Sequence, residues 1–488
     1  LHSFPTRRSS DLHIENGFSY QGTQAELYDG SFGRLAASVQ AGRNDGRLGF
    51  YGNADYFEED GWRDFSKSQA LRLYGAVSLH ESDWTVDMSA AYANTQLRGN
   101  GTSPVELLAL DRSAVFTHPD ITENEHTQLI LEGSRRISDA VQISGNTFYR
   151  RLETDTFNGD GTVFEECAFG DDEFLVEEEF ADVNGDGECS AEDDDDIRRV
   201  LDLGGEPVPA ELDDSELNAI NNIGRREQES YGGSVQMGLQ SRLFGRENNL
   251  TLGVAYSNGT TTFDSAVEVA SLLENRATTR TGIFAQEFAT AVGSELTNAS
   301  AYVLDTMSLS ESVAVTVSGR YDDTRIELSD RSGDSPELNG DHGFGRFNPA
   351  IGVTVRVGPS MTLYGSYGES ARAPSAVELA CASEDAPCNL PNAFLADPPL
   401  EQVVAKSAEI GLRSEGNEGL RWHVGGFYTS NRDDILFQTT GGPQANVGFF
   451  DNVGDTLRTG IELSVSQRVE RFRWFFEYSY LEATFDDD

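Results

Sequence analysis

Apolar and polar residues alternate with a period of two along most of this chain. The alternation is clear where Trp84, Val86, Met88 and Tyr92 share one face of a predicted strand. Strict alternation indicates a β-strand whose two faces meet different surroundings. Many of these stretches reach about ten residues, whereas strands of soluble sheets usually have about 5–6, and a tilted strand that crosses a bilayer needs about 9–11. The pattern therefore predicts strands of membrane-spanning length.

Aromatic residues often close the ends of the apolar face, as Trp84 and Tyr92 do. A rise of about 3.3 Å per residue separates these two rings by roughly 26 Å along the strand. Allowing for tilt, that distance fits two aromatic girdles on either side of an apolar band about 25 Å tall. A soluble sandwich is the alternative, but it seldom keeps strands of this length.

The connections between strands alternate in length. We predict about 17 strands, beginning near residue 24. Tight turns follow the even-numbered strands, as at 44–46, 81–83, 138–139, 245–248, 309–311, 358–360, 416–419 and 469–471. Longer connections follow the odd-numbered strands at 58–65, 97–123, 157–228, 263–293, 330–345 and 371–401, with a short first one near 30–33. This asymmetry is typical of outer-membrane barrels, whereas a β-propeller would show repeats of roughly 40–45 residues. The expected fold class is all-β, a transmembrane antiparallel β-barrel.

Composition narrows the function. The chain has 488 residues, with 82 acidic against 36 basic residues and a net charge of −46. Such a balance excludes nucleic-acid binding, which requires a basic face, and it suits a surface that holds divalent cations. The sequence contains no apolar run long enough for a transmembrane helix. A β-barrel remains compatible, because only every second residue of its strands faces lipid.

The first twelve residues, Leu1 to Leu12, resemble the translation of a DNA-sequencing adaptor. Their basic, serine-rich composition imitates a targeting peptide, but they lack the apolar core of a secretory signal. We interpret 1–12 as a non-native artefact and 13–488 as one barrel domain. Within it we distinguish a long acidic extracellular loop at 157–228 and a cysteine-containing loop at 371–401.

Three phrases in fixed order carry a family resemblance. They are Tyr364–Tyr367 running into Arg372-Ala-Pro374 and Glu378-Leu379, then Asp397-Pro-Pro-Leu400 with Glu409–Gly411, then Asn452–Thr456 closing on Gly460–Leu463. Gly30–Arg34, Gly61–Ser66 and Ala114–Asp120 precede them in family-like positions. Together these phrases resemble the barrel of a TonB-dependent outer-membrane receptor, over residues from about 17 to 488.

The resemblance implies energised import across the bacterial outer membrane, with a TonB complex as partner and a small-molecule ligand as cargo. A ferric siderophore or other metal chelate is the commonest cargo of the family. The signal peptide, energy-coupling box and plug expected before the barrel are not in this sequence, and TonB would act through that plug region. Family barrels have about 22 strands, so we expect an incomplete barrel of about 17. We expect outer-membrane lipid and lipopolysaccharide as further partners.

A non-energised surface barrel, either a passive porin or a calcium-dependent adhesin, is the alternative function. No nucleophile elbow, zinc-protease helix or phosphate loop is found in the sequence. The expectation is therefore that the protein is not an enzyme. The substrate-binding residues are unknown at this level.

The four cysteines fall in two close pairs, Cys167 with Cys189 and Cys381 with Cys388. Two disulfides in an oxidising compartment are one interpretation, and four free thiols are the other. The absence of CxxC spacing argues against a zinc site and against a thioredoxin-type redox role. Pairing within each loop would place both disulfides on the extracellular side.

Residues 182–193 resemble a calcium loop, in which alternate residues direct oxygen atoms inward. The candidate ligands are Asp182, Asn184, Asp186, Glu188, Ser190 and Asp193. Gly187 stands where the sharp turn of such a loop requires glycine. The alternative is a solvated acidic loop, since carboxylates are abundant around it.

Haem is not expected as a ligand. Arg372–Pro374 and Asn389–Asn392 faintly resemble the paired phrases of haem receptors, but no histidine lies between 374 and 400. Arginines predicted inside the barrel, such as Arg150, Arg320 and Arg473, have two interpretations. They face an anionic substrate, or they pair with acidic neighbours on the lumen wall.

Overall fold

A computed structural model describes residues 15–99, 101–162, 164–169, 172–177, 198–213, 215–333, 335–382, 388–389, 400–415, 419–439, 447–469 and 471–486. Within them the main sheet has 17 strands. The first seven are β1 (Gly22–Asp29), β2 (Leu35–Asn44), β3 (Leu48–Glu59), β4 (Ser68–His80), β5 (Trp84–Arg98), β6 (Asp120–Ser138) and β7 (Val141–Gly161). The middle five are β8 (Ala219–Leu243), β9 (Arg246–Ala270), β10 (Phe284–Ser308), β11 (Val313–Asp330) and β12 (Gly340–Val357). The last five are β13 (Met361–Arg372), β14 (Val403–Glu415), β15 (Arg421–Arg432), β16 (Thr456–Val469) and β17 (Phe472–Phe485).

Each strand pairs antiparallel with the next one in the chain, from β1 to β17. Among the described residues, no ladder joins β1 to β17. Every residue of β1 and of β17 is exposed. The prediction of an all-β antiparallel barrel wall with about 17 strands is therefore confirmed.

The alternation of connection lengths is also confirmed. Even-numbered strands end in tight turns, for example at 81–83 between β4 and β5 and at 358–360 between β12 and β13. Odd-numbered strands after β1 lead into longer connections, for example at 99–119, 162–218 and 373–402. We call the two ends of the wall the short-turn rim and the long-loop rim.

Three central strands are longer than their sequence pattern predicts. β8, β9 and β10 each have 25 residues. The connection predicted at 263–293 is reduced to 271–283, and the one at 157–228 to 162–218. The hydrogen-bonded ladders of β8, β9 and β10 continue into these segments because the N–H and C=O groups of adjacent strands need hydrogen-bond partners. At these ends both faces of the strands are buried, as at the consecutive residues Val267 to Ala270, so the period-two alternation is lost.

The two faces of the wall differ as the alternation predicts. Met88, Val254 and Ile410 are 54%, 56% and 64% exposed on the outer face. On the inner face, Tyr302 Oη donates to Gln236 Oε1 at 2.9 Å. The wall is thus apolar outside and hydrogen-bonded inside, which is the arrangement of a membrane barrel.

Short helices and short strand pairs lie at the long-loop rim. They are the helices α1 (Val105–Leu110) and α2 (Ala376–Leu379), a 3₁₀ turn at Pro336–Leu338, and short strand pairs within the connections. None of the helices in the described ranges is long and apolar enough to cross a membrane. Two buried apolar clusters also lie at this rim.

Candidate functional site at the long-loop rim

Parts of the late phrases meet at one place on the long-loop rim. We call this place the late rim and define it as residues 372–382, 400–403, 431–439 and 447–458. Its first part is an ion pair, in which Arg372 Nη1 and Nη2 lie 2.7 and 3.1 Å from the two carboxylate oxygens of Glu378. Two parallel hydrogen bonds of this kind fix the relative orientation of the two side chains in addition to pairing their charges.

Helix α2 begins with a reciprocal cap. The Ser375 side chain accepts from the Glu378 N–H at 3.2 Å, and the Glu378 carboxylate accepts from the Ser375 N–H at 2.7 Å. Burial by itself would raise the pKa of Glu378, but the hydrogen bonds from Arg372 and Ser375 outweigh it and lower the pKa. The pattern Ser-x-x-Glu is the signal by which this anchor is readable in the sequence.

Beneath the cap lies the larger apolar cluster. Leu379 and Cys381 are both fully buried in it. The other buried members are Val292, Ile326, Leu328, Leu338, Ala380, Leu400, Val403 and Ile435. The cluster thus unites strand ends of β10, β11 and β14 with three connections, those between β11 and β12, β13 and β14, and β15 and β16.

A buried carboxylate closes the late rim. Thr456 Oγ1 donates to Asp434 Oδ2 at 2.6 Å, Asn431 Nδ2 does so at 3.2 Å, and Arg458 Nη2 lies 3.3 Å away. Asn452 Oδ1 accepts from the Glu401 N–H at 2.8 Å. The third family phrase therefore ties the β13–β14 connection to the β15–β16 connection.

Two of the early phrases, Gly61–Ser66 and Ala114–Asp120, meet at a second place, which we call the early rim (60–67, 99, 101–120 and 271–283). Arg63 Nη2 donates to Ser103 Oγ at 2.6 Å and to the Ala114 carbonyl at 2.9 Å, and Nη1 donates to the Gly101 carbonyl at 3.2 Å. One guanidinium therefore organises the whole β5–β6 connection.

His118 links three connections of the early rim. Its ring stacks on Phe65 with centroids 3.7 Å apart, and its Nε2 lies 3.1 Å from the Asn275 carbonyl. Arg276 Nε donates to the Phe116 carbonyl at 2.6 Å, and its guanidinium lies over the Phe116 ring. Most partners in this rim are backbone carbonyls.

The β9–β10 connection is fixed at its base by a buried carboxylate. Glu268 is 1% exposed and accepts from the Gly282 N–H at 2.8 Å and from Asn221 Nδ2 at 3.0 Å. Arg280 pairs with the same carboxylate. Removing charge from solvent is tolerated here because every one of these partners supplies a hydrogen bond.

An acidic hairpin projects from the β7–β8 connection at Phe164–Phe169 and Asp172–Glu177. A hydrogen bond to Glu173, with repulsion from Glu173, Glu211 and Glu216, raises the pKa of Glu166. The second apolar cluster packs below it and includes Phe164 and Leu175.

The lumen wall is polar near the short-turn rim. A cavity of about 730 Å³ is lined by β6 to β13, mainly through amide and hydroxyl side chains such as Gln142, Gln236 and Thr306. Nearby, Tyr364 Oη lies 2.6 Å from Glu409 Oε1 and 2.7 Å from His423 Nε2. This wall can hydrogen-bond a neutral polar surface.

Comparisons with known proteins now identify the family. The model of the TonB-dependent receptor-like β-barrel matches residues 4–488. This chain belongs to the TonB-dependent receptor family. The family is one of outer-membrane receptors and transporters, so the predicted outer-membrane location and the prediction that the protein is not an enzyme are confirmed. A search of curated proteins finds no match.

Solved structures resemble this receptor barrel in fold. The ferric preacinetobactin receptor BauA from Acinetobacter baumannii is 12% identical with a TM-score of 0.63, and the alignment covers 96% of this chain and 62% of that one. The ferric-catecholate import receptor Fiu from K12 E. coli is 12% identical with a TM-score of 0.65, covering 96% and 65%. The copper transporter OprC is 14% identical with a TM-score of 0.64, covering 95% and 61%. The chain therefore spans less than two thirds of the length of these proteins, and identities this low show the fold alone.

Several sites predicted from the sequence of the receptor stay untested. The candidate calcium ligands at 182–193 and Cys189 lie outside the described residues, as does the side chain of Cys388. Cys167 and Cys381 are each disulfide-bonded, while the predicted pairing of each remains a prediction. In the described part of the chain, no group of three or more His, Cys, Asp or Glu could hold a metal ion.

One predicted lumen arginine has an assigned partner in the receptor. Arg320 Nε donates to Asp322 Oδ1 at 2.7 Å, and Arg320 Nη2 donates to Ser300 Oγ at 2.9 Å. Of the two interpretations of the lumen arginines, Arg320 therefore fits the one in which they pair with acidic and polar neighbours on the wall. Sequence reasoning missed Arg63, His118 and Asp434, because their partners lie far away in the sequence.

Proposed function

We propose that this barrel is the ligand-admitting wall of an energised importer whose cargo is a ferric siderophore or another metal chelate. The observation that carries the proposal is the convergence of the family phrases into two rigid rims at the long-loop end. BauA and Fiu are receptors for ferric siderophores by name and OprC is a copper transporter, which supports a metal-bearing cargo.

The rims suit ligand capture because their bases are fixed. Loops that hold binding residues work best on a rigid support. Buried clusters and charged anchors hold the strand ends, while the connections above them extend toward the outside. Energy would come from a TonB complex that acts through a plug region, and outer-membrane lipid and lipopolysaccharide would surround the apolar face.

Uptake of radioactive iron by iron-starved cells that express the full-length receptor, with the plug region through which TonB acts, tests this function. We expect uptake of a ferric siderophore that stops when the TonB complex of the host is deleted. Uptake that persists without TonB would identify a passive porin instead. Calcium-dependent adhesion without uptake would identify the adhesin.

Calcium binding at 182–193 belongs to the same proposal as a property of the outer loop. Terbium luminescence of the whole chain, competed with calcium, would measure it. We expect Asp186→Asn to weaken binding and Glu206→Gln, an exposed carboxylate in the same connection, to leave it unchanged. Equal binding by both variants would contradict the site and favour a solvated acidic loop.

A further inference from the structure

A short segment ahead of β1 packs on the inner face of the wall. Residues 15–20 form a tight turn, in which Asn16 Oδ1 accepts from the N–H groups of Phe18 and Ser19 at 2.8 and 3.0 Å. The Tyr20 N–H donates to the Asn16 carbonyl at 3.0 Å. Such side-chain bonds to nearby backbone stabilise a turn without any neighbouring strand.

The wall contacts this turn through aromatic rings. The Phe18 ring lies parallel to the His80 imidazole with centroids 3.9 Å apart. The Tyr20 ring meets Tyr51 edge-on at 5.6 Å. Aromatic pairs in these geometries add to the stabilisation that burial itself provides.

Polar bonds fix the turn in one position. Asn44 Nδ2 donates to the Gly17 carbonyl at 2.7 Å, and Asn16 Nδ2 donates to Asp87 Oδ1 at 3.2 Å. The same carboxylate lies 3.2 Å from His80 Nε2. The polar partners therefore come from β2, β4 and β5, and with Tyr51 of β3 the contact spreads over four strands of the wall.

Two glycines of the wall make room for the turn. A Cβ atom on Gly49 would lie 2.7 Å from Cε2 of Phe18, and one on Gly42 would lie 3.0 Å from Cδ1 of Tyr20. A Cβ atom on Gly42 would meet the Tyr20 carbonyl oxygen at still shorter range, so a side chain there requires the Tyr20 backbone to shift, whereas one on Gly49 requires the Phe18 ring to move. Ser78, directly opposite Gly49 in the ladder, is fully buried, so this part of the inner face is covered.

We propose that residues 15–20 are an anchor which ties the chain ahead of β1 to the inner face of β2–β5, and that Gly42 and Gly49 form its docking site. The anchor also holds β1, whose other edge has no partner strand among the described residues. This role rests on the proposed function: in an importer, the anchor would keep residues 15–20 fixed on the wall while residues ahead of them move.

Hydrogen exchange of the whole chain in detergent tests the anchor. We expect the amides of residues 18–20 to be protected in the wild type, and Phe18→Ala or Gly49→Val to speed their exchange by at least ~10-fold. Gly52→Val on the same strand is the matched control, because the nearest atom to a Cβ there is 3.8 Å away. It should leave the exchange unchanged.

The double variant makes the test specific. If Gly49→Val acts by displacing the Phe18 ring, then adding it to Phe18→Ala should have little further effect, as for two residues in one contact. Phe18→Ala only removes atoms, so it guards against a general folding failure of Gly49→Val. Equal exchange in the wild type and Phe18→Ala, or an equal effect of Gly52→Val, would overturn the proposal. Exchange needs no cargo, so a failed uptake experiment would leave this result independent.

Discussion

The late rim and the early rim hold loops of the same barrel by different means. The late rim joins side chain to side chain, with Arg372 on Glu378 and Thr456 on Asp434, above a buried apolar cluster. The early rim joins side chains to backbone, with Arg63 on the carbonyls of Gly101 and Ala114. Among the described residues of the early rim, Ile283 alone packs against a buried cluster.

This difference has a physical consequence. Apolar burial and charged pairs depend on particular side chains, so a single substitution removes much of their contribution. Backbone carbonyls are supplied by any residue, and only the donor is specific. Substitutions at many positions should therefore destabilise the late rim, whereas in the early rim the substitution of Arg63 should have the main effect.

The largest effect is expected for Leu379→Ala in the late rim. Leu379 is fully buried, and such truncations cost about 2–5 kcal/mol. Hydrogen exchange of residues 379–381 and 447–452 would report the loss as faster local opening. The control is Val377→Ala on the same helix, where the side chain is 47% exposed. Similar changes in both variants would contradict a packed base.

Asp434→Ala should be the next most damaging change. It leaves Thr456, Asn431 and the Arg458 guanidinium without their shared acceptor, at a cost of about 1–3 kcal/mol. Exchange in residues 431–434 and 452–458 would measure it. Asp433→Asn next to it is the control, because Asn tolerates the positive φ of 54° found there.

In the early rim, Arg63→Ala should loosen the β5–β6 connection by about 1–2 kcal/mol, since three acceptors lose one donor. Limited proteolysis within 99–119 would detect the change. Arg112→Ala, an exposed arginine of the same connection, should behave as wild type. If the Arg63→Ala variant resisted the protease as well as the wild type does, the early rim would not depend on the Arg63 guanidinium.

The smallest effects are expected from pH, and two outer segments should respond in opposite directions. The pKa of Glu378 is lowered from its ordinary value of 4.5, so its contribution is full above pH 4.5 and is lost as the pH falls through the lowered value. The pKa of Glu166 is raised from 4.5, so folding of the acidic hairpin is favoured below 4.5 and weakens as the pH rises through the raised value.

Exchange rates corrected for intrinsic pH dependence, measured across this window, would test the contrast. The late rim should open more readily in acid, while the hairpin 164–177 should become better protected. Glu378→Gln should abolish the first response and Glu166→Gln the second. A common direction for both segments would show that neither carboxylate controls its region.

The sequence by itself determined the number of strands, which residues lie on each face of the wall, and the difference between the short-turn rim and the long-loop rim. Each of these depends on local properties, since alternation such as that of Trp84 to Tyr92 and turn residues such as Gly46 act within a few positions. Even the Ser375–Glu378 cap was readable, because its partners are three residues apart. The extra length of β8 to β10 was not, because strand ends that are buried on both faces lose their alternation.

Only the tertiary structure decided which residues meet at the rims and inside the wall. Arg63 reaches Ala114, Asp434 reaches Thr456, and Phe18 reaches His80 across stretches of chain whose spacing has no regular period. Such contacts follow from the curvature and register of the whole sheet, which bring distant strand ends together. Local periodicity carries no information about that register, and so these long-range contacts of the receptor barrel could be recognised only from its folded structure.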